Sequence, residues 1–286
     1  MTAICALATG LALLAYLAAA ALYPAHLLLR EERWGRWGRR FLFAGASLHA
    51  VGLMAHLTRM KTVPSAAFWV VNAVFFFSLL TVWGGLWLEH RFQRPLFGVF
   101  LAPVVFLVLL YPLALRRETA TGFPLPVHPW IALHATLALL SYASFALAFG
   151  AALIYLLQDR LLRTKRLERL RFFPALEVMD RAAYHLIALG FPLLTLGLIM
   201  GLIWLRWGRV ASLTLPDPKI ILAGLTWLIY AAYLYLRAVI GWYGRRPNWL
   251  LVVGFGLVLL TFLGTRHHFR PKSATMVHLT PIIREV

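Results

Sequence analysis

Cysteine, carboxylates and long polar stretches are what this chain has least of. Its 286 residues include one cysteine, Cys5, and 10 Asp or Glu against 28 Lys or Arg. A single cysteine excludes an internal disulfide, a CxxC redox pair and a covalent CxxCH cofactor attachment. The acidic residues nearest the apolar runs, Glu89, Asp180 and Asp217, stand at the edges of those runs. A proton relay or cation path through a membrane recruits carboxylates at depth, so their absence there argues against an ion pump or cation carrier. The chain also lacks any basic module interleaved with aromatics, which removes nucleic acid as a partner despite a net charge of +18. No internal repeat or low-complexity segment is visible, and no polar stretch is large enough for a soluble domain.

What remains is apolar. With 62% hydrophobic residues, 13% charged residues and a mean hydropathy of +0.77, the chain carries more apolar surface than one soluble core can bury. Eight apolar runs fall at 2–22, 41–57, 66–88, 96–115, 130–157, 182–205, 220–240 and 249–263. Each approaches the ~20 residues that cross a bilayer's hydrocarbon layer. The expected fold is therefore all-α, a polytopic bundle of about eight transmembrane helices forming one domain over 1–286. The first run has no basic segment before it and is expected to be retained as a span. Of the 28 Lys and Arg, 17 lie in the connections at 30–40, 91–94, 160–181 and 237–246, and 11 in the others and the tail. That asymmetry predicts a cytoplasmic location for the first set and both termini outside. The longest connection, 158–181, reads as an amphipathic helix on the inner face or, failing that, a solvated basic linker.

The stretch at 180–219 organises the rest. Its apolar run carries His185 near its start, with Pro192, Gly190, Gly197 and Gly201 further along, small residues that admit a neighbouring helix or a flat ligand. Counting ~1.5 Å per residue puts His49 ~13 Å and His185 ~6 Å from the inner edge of their spans, with His134 and His56 in the outer half. Embedded imidazoles suit a transition metal, a proton path or haem. Haem needs neutral imidazole as axial ligand, an aromatic-lined slot and basic residues for its propionates, and the 14% aromatic content and interfacial arginines offer these. The alternative is that each histidine simply hydrogen-bonds a neighbouring helix.

Several stretches then carry a resemblance: LHATLALLSYASFALAFGAALIYL from Leu133, MDRAAYHLIALGFPLLTLGLIMGL from Met179, DPKIILAGLTWLIYAAYLYLR from Asp217, GWYGRRPNWLLVVGFG from Gly241 and FLGTR from Phe262. SLHAVGL around His49 and VVNAVFF around Asn72 extend it into the first half. These collinear matches, best over 130–266, resemble the cytochrome c assembly proteins, in particular the HemX and YpjD branch related to CcsA and CcmC. The resemblance implies a haem-handling protein of a bacterial-type cytoplasmic membrane, with non-covalent b-type haem. Partners would be membrane lipid, haem, a cytochrome c assembly protein or a haem-biosynthesis enzyme.

Haem-delivering members carry a Trp-rich external segment of the form WGxxWxWDPK. Here only Trp204, Trp207 and the Asp217-Pro218-Lys219 remnant correspond to it. The expectation is a haem-handling protein rather than the ligase. An outer site is expected at His134, the family's external histidine, with His268 or His267 opposite and Arg206, Arg209 or Arg266 near the propionates. An inner site is expected where His49 and His185 approach each other, with Gly190 giving space and Asn72 a polar contact. Three readings follow: a haem-binding assembly protein that handles or transports haem in the bundle, a HemX-like membrane regulator of a haem-biosynthesis enzyme, and a transporter of another cargo.

Overall fold

The computed structural model describes residues 3–58, 66–115, 129–207, 212–213, 218–264 and 269–270. Eight helices follow in order: α1 (Ala3–Leu29), α2 (Glu32–Leu57), α3 (Ala66–Phe92), α4 (Gly98–Leu115), α5 (Pro129–Arg163), α6 (Leu176–Trp207), α7 (Pro218–Ala238) and α8 (Arg245–Leu259). A π-helical turn, Leu260–Gly264, prolongs α8, and a 3₁₀ turn, Leu167–Phe172, sits between α5 and α6. Seven of the helices are long and apolar enough to cross a bilayer, and α4 supplies the shorter apolar stretch Gly98–Leu110. The protein is an all-α polytopic membrane protein. Two-residue strands, β1 (Ser212–Leu213) and β2 (Phe269–Arg270), pair antiparallel and join the chain beyond α6 to the chain beyond α8.

Several helices outrun their apolar stretches. α1 continues through Pro24 to Leu29, and α2 begins at Glu32 with a turn rich in arginine and tryptophan. Long basic side chains let a helix leave the hydrocarbon without unwinding, because their stems lie along apolar surface while the charge reaches water. The connection at 158–181 is therefore not one amphipathic helix. α5 runs on to Arg163 and ends where Lys165 takes a left-handed conformation (φ 54°), its N–H bonding Leu162 O while Arg166 N–H bonds Leu161 O. That reciprocal pair closes a helix end. Pro174 then precedes the start of α6.

The structure reveals an internal repetition that the sequence conceals. In the first half α1 packs on α2 and α4, and α3 packs on α2 and α4; in the second half α5 packs on α6 and α8, and α7 on α6 and α8. Both halves are rings of four helices in the same order, joined mainly where α3 meets α5. One core of Tyr16, Tyr23, Leu42, Phe75 and Leu109 fills the first ring, and a larger one around Phe145, Tyr230 and Phe255 fills the second and crosses the seam to Phe77 of α3 and Leu101 of α4.

Each ring is tied at the same end by a buried acid and an arginine on its second and third helices. In the first, the fully buried Glu89 of α3 accepts from Tyr23 Oη of α1 (2.8 Å) and from the N–H of Gly98, the first residue of α4 (2.9 Å), and pairs with Arg39 of α2 at 3.4 Å. In the second, Asp180 of α6 meets Arg237 of α7 at 2.5 Å and accepts from Asn248 Nδ2 of α8 at 3.0 Å. The signs are exchanged: the base is on the second helix of one ring and on the third of the other. Because acid and base stand on exchanged helices, a residue-by-residue comparison does not match the two pairs. We call this the basic end, since the arginine-rich connections lie there; Arg30 after α1 reaches Glu168 between α5 and α6 at 2.7 Å.

Candidate functional site

The opposite end holds the best-formed imidazole. His134, in the second turn of α5, lies against α6, where its Nδ1 is 2.7 Å from the carbonyl oxygen of Gly197. A carbonyl only accepts, so Nδ1 carries a proton, and in the neutral ring Nε2 is the nitrogen with the lone pair. Gly201, one turn further along α6, lies beneath the ring: a β-carbon there would stand 2.9 Å from His134 Cε1 and 3.1 Å from Nδ1. The ring is half-buried, so Nε2 is both oriented and reachable. This is how metal-ligating histidines are commonly held, with one ring nitrogen committed to a backbone acceptor. Trp204, Arg206 and Trp207 fall in the last turns of the same helix, beyond Gly201. Arg209, Arg266, His267 and His268 lie outside the described residues, although the β1–β2 pair brings Phe269, next in sequence to His268, against Leu213 beyond α6.

The glycines of α6 are explained by this packing rather than by a guest in the helix. Gly190 admits the ring of Phe145, which a β-carbon would meet at 2.6 Å, and Gly197 lets the α5 backbone come close, with Ala138 N at 3.5 Å. The slot expected at Gly190 is filled by a phenyl ring that stacks on Tyr230 at 4.1 Å.

His49 sits deep in the first ring with no exposed surface. Its Nδ1 is 3.2 Å from Tyr16 Oη of α1, and Phe75 of α3 meets the ring edge-on at 5.0 Å. Nε2 is buried and has no hydrogen-bond partner. An orphaned ring nitrogen in an apolar interior is unfavourable unless a ligand completes it, and in the tautomer that donates to Tyr16 that nitrogen offers a lone pair. His185 is not beside it. It lies on the exposed side of α6 with Tyr184 as its ring neighbour, at 5.5 Å. Measured from the buried ion pairs, His49 is ten residues past Arg39, ~15 Å deeper, and His185 five residues past Asp180, ~7.5 Å deeper. The expected pairing of His49 with His185 is thus not formed: His49 faces the core of the first ring and His185 faces away from the second.

Asn72 is placed differently as well. Its Oδ1 lies 3.1 Å from Nδ1 of His56, near the end of α2 remote from the basic end, so it serves His56 rather than an inner pair. Phe75 stacks on His56 at 6.4 Å while also touching His49, which puts one phenyl ring between two imidazoles a heptad apart on α2. The spacing of His49 and His56 was the available sequence signal for this arrangement. Tyr16, by contrast, had none. Among the described residues, no three His, Cys, Asp or Glu side chains converge on one point.

The oriented Nε2 of His134 and the unpartnered Nε2 of His49 both have the chemistry of an axial ligand to haem iron. Comparison with known proteins identifies the family. Residues 60–269 match the family described as cytochrome C assembly protein. The chain is 31% identical over 212 residues to cytochrome c biogenesis protein CcsA of Guillardia theta, covering 65% of this chain and 69% of that one. It is 49% identical over 90 residues to the CcsA of Synechococcus sp. (strain JA-2-3B'a(2-13)), covering 31% of this chain and 25% of the relative. Among solved structures, cytochrome c heme lyase CcmF shares the fold, with a TM-score of 0.66 and 20% identity over 92% of this chain and 47% of that one. The chain spans about two thirds of the Guillardia theta relative, a quarter of the Synechococcus one and under half of CcmF; because the family match runs over more than half of its length, the chain belongs to the cytochrome c assembly protein family.

Proposed function

We propose that this protein binds b-type haem non-covalently at the end of the bundle remote from the basic connections, and holds or hands on that haem during cytochrome c assembly. The observation that carries the reading is His134, whose Nδ1–H is committed to Gly197 and whose Nε2 is oriented and half-buried. Bound haem would supply an iron with axial positions for imidazole and two propionates for cationic partners. His134 takes one axial position in this reading, with His268 or His267 as the second ligand. Arg206, Arg209 and Arg266 meet the propionates, and Trp204 and Trp207 flank the ring. The β1–β2 pair supports this grouping, since it ties the chain after α8 to the chain after α6. The segment from Trp204 to Lys219 keeps only two tryptophans ahead of its Asp-Pro-Lys and lacks the WGxxWxWDPK pattern, which favours holding or transport over ligation.

His49 supplies a second position, deeper in the first ring, where Tyr16 fixes the imidazole and Nε2 is the open atom. His185, exposed on α6, is a loading position for haem entering from the lipid rather than a partner of His49. In this reading the basic end faces the cytoplasm, and both termini lie outside a bacterial-type cytoplasmic membrane. A HemX-like regulatory role, in which that basic end engages a haem-biosynthesis enzyme, is the second reading, favoured by the exposed arginines that open α2. Co-purification of such an enzyme with the detergent-solubilised protein would select it.

The test is the absorption spectrum of the purified protein. A Soret band that is lost or much reduced in His134→Ala, with the variant still monodisperse, is the expected result. A haem content and spectrum identical to the parent would remove His134 as a ligand, and absence of haem from the parent even after loading would overturn the reading.

A further inference from the structure

The seam between the two rings does not close at the basic end. Pro24 and Leu27 of α1, Val99 of α4, Leu157 and Leu161 of α5, and Phe172 of the 3₁₀ turn are among the residues around a half-open crevice of about 230 Å³. Every side chain lining it is apolar. It draws on both rings, and it sits in the last two turns of α1 and α5 and the first turn of α4. That level is the boundary between hydrocarbon and headgroups, because the arginine-rich connections begin immediately beyond it.

Water gains nothing in such a crevice, and the neighbouring bilayer offers acyl chains to fill it. The rim says which lipid. Glu168, on the 3₁₀ turn beside it, is already paired with Arg30 at 2.7 Å across the seam. Arg171 spans the same place: its guanidinium donates to the carbonyl oxygen of Arg30 at 3.5 Å and lies 4.6 Å over the ring of Phe172. The other edge of Phe172 meets His26 at 5.1 Å, and His26 Nδ1 is held by Glu31 O at 2.9 Å, so the floor of the crevice is braced from both sides. Arg163 is paired with Asp159, whereas Arg160, Lys165, Arg166 and Arg171 have no carboxylate partner among the described residues. Apolar walls capped by unneutralised cations are complementary to a molecule with an acyl tail and a negative head.

We propose that this crevice holds one acyl chain of an anionic phospholipid from the leaflet at the basic end, with the phosphate bound by Arg171 and the neighbouring cations of the α5–α6 connection. The lipid completes the seam between the rings, and its position at the mouth joins α1, α4 and α5 where protein contacts are sparse.

Native mass spectrometry of the full-length protein, exchanged into mild detergent with equal amounts of phosphatidylglycerol and phosphatidylethanolamine, tests this directly. The expected result is retention of phosphatidylglycerol over phosphatidylethanolamine by about fivefold or more. Leu157→Trp, which fills the crevice, should abolish that retained lipid, and Leu27→Trp does the same from the opposite wall should the first variant fail to fold. Arg171→Gln should cut the headgroup preference while leaving apolar occupancy. Equal retention of the two lipids by the parent overturns the proposal, as does unchanged phosphatidylglycerol in a folded crevice-filling variant. Loss of bound haem from that variant with lipid unchanged would assign the crevice to haem instead.

Discussion

Two glycines one turn apart on α6 separate the positioning of His134 from the stability of the helix that positions it. Replacing either with alanine removes the same backbone entropy and favours the helix by about 0.5–1 kcal/mol. At Gly197 the new β-carbon would meet Ala138 N at 3.5 Å, an ordinary contact, so Gly197→Ala should leave stability unchanged or slightly raised. At Gly201 the β-carbon would lie 2.9 Å from His134 Cε1, closer than real contacts allow, and the ring must move. Moving it breaks the 2.7 Å bond to Gly197 O, a loss of about 1 kcal/mol that roughly offsets the helical gain. The two variants should therefore unfold at similar temperatures, followed by tryptophan fluorescence in detergent. They should differ in haem affinity, because losing the group that orients a ligating imidazole typically weakens binding about 10–100-fold. Titration of haem into apoprotein at the Soret maximum measures this. Equal affinities for Gly201→Ala and Gly197→Ala would refute the claim that the Gly197 carbonyl holds His134 for a ligand.

Asp180→Ala leaves Arg237, 7% exposed, without its partner in the interior of the second ring and should destabilise the protein by about 3–5 kcal/mol. Asp180→Ala combined with Arg237→Met should recover much of that loss in the same thermal assay, and a double variant no better than the single one would show that the pair is not the cause. Tyr16→Phe removes the hydroxyl beside His49 Nδ1, and a shifted haem spectrum at near-normal stability is the expected result; a spectrum superimposable on the parent's would exclude His49 as a ligand oriented by Tyr16. Reporter fusions at Arg166 and after Val286 should report opposite sides of the membrane, cytoplasmic for Arg166, and agreement between them would overturn the eight-span orientation.

Helix number, membrane class and the location of the charged connections could all be read from the sequence, because they depend on quantities local to each segment. An apolar run of ~20 residues must satisfy its backbone internally, so it becomes a helix wherever it lies in the fold, and basic residues gather where helices emerge. The position of His134 toward the end remote from the basic connections was legible too, since it stands near the start of its apolar run. Helix ends were less so. Glu32 to Arg40 in α2 is helical ahead of its apolar core because snorkelling side chains, not hydropathy, decide where unwinding begins.

Only the tertiary structure decided which imidazole meets which partner. His49 and Tyr16 are 33 residues apart, His134 and Gly197 63, and Glu89 and Tyr23 66. Helices α3 and α4 are apolar around their whole circumference, so nothing in their sequence says which side faces the core and which faces lipid. Their rotation is set by the helices they pack against, and with it the choice of Asn72 for His56 rather than for a pair formed by His49 and His185. The two four-helix rings were hidden for the same reason. Their equivalence lies in the order of packing and in an acid and an arginine that exchanged places between the second and third helices, a swap that preserves the attraction between Arg39 and Glu89 and between Asp180 and Arg237 while erasing the match in sequence.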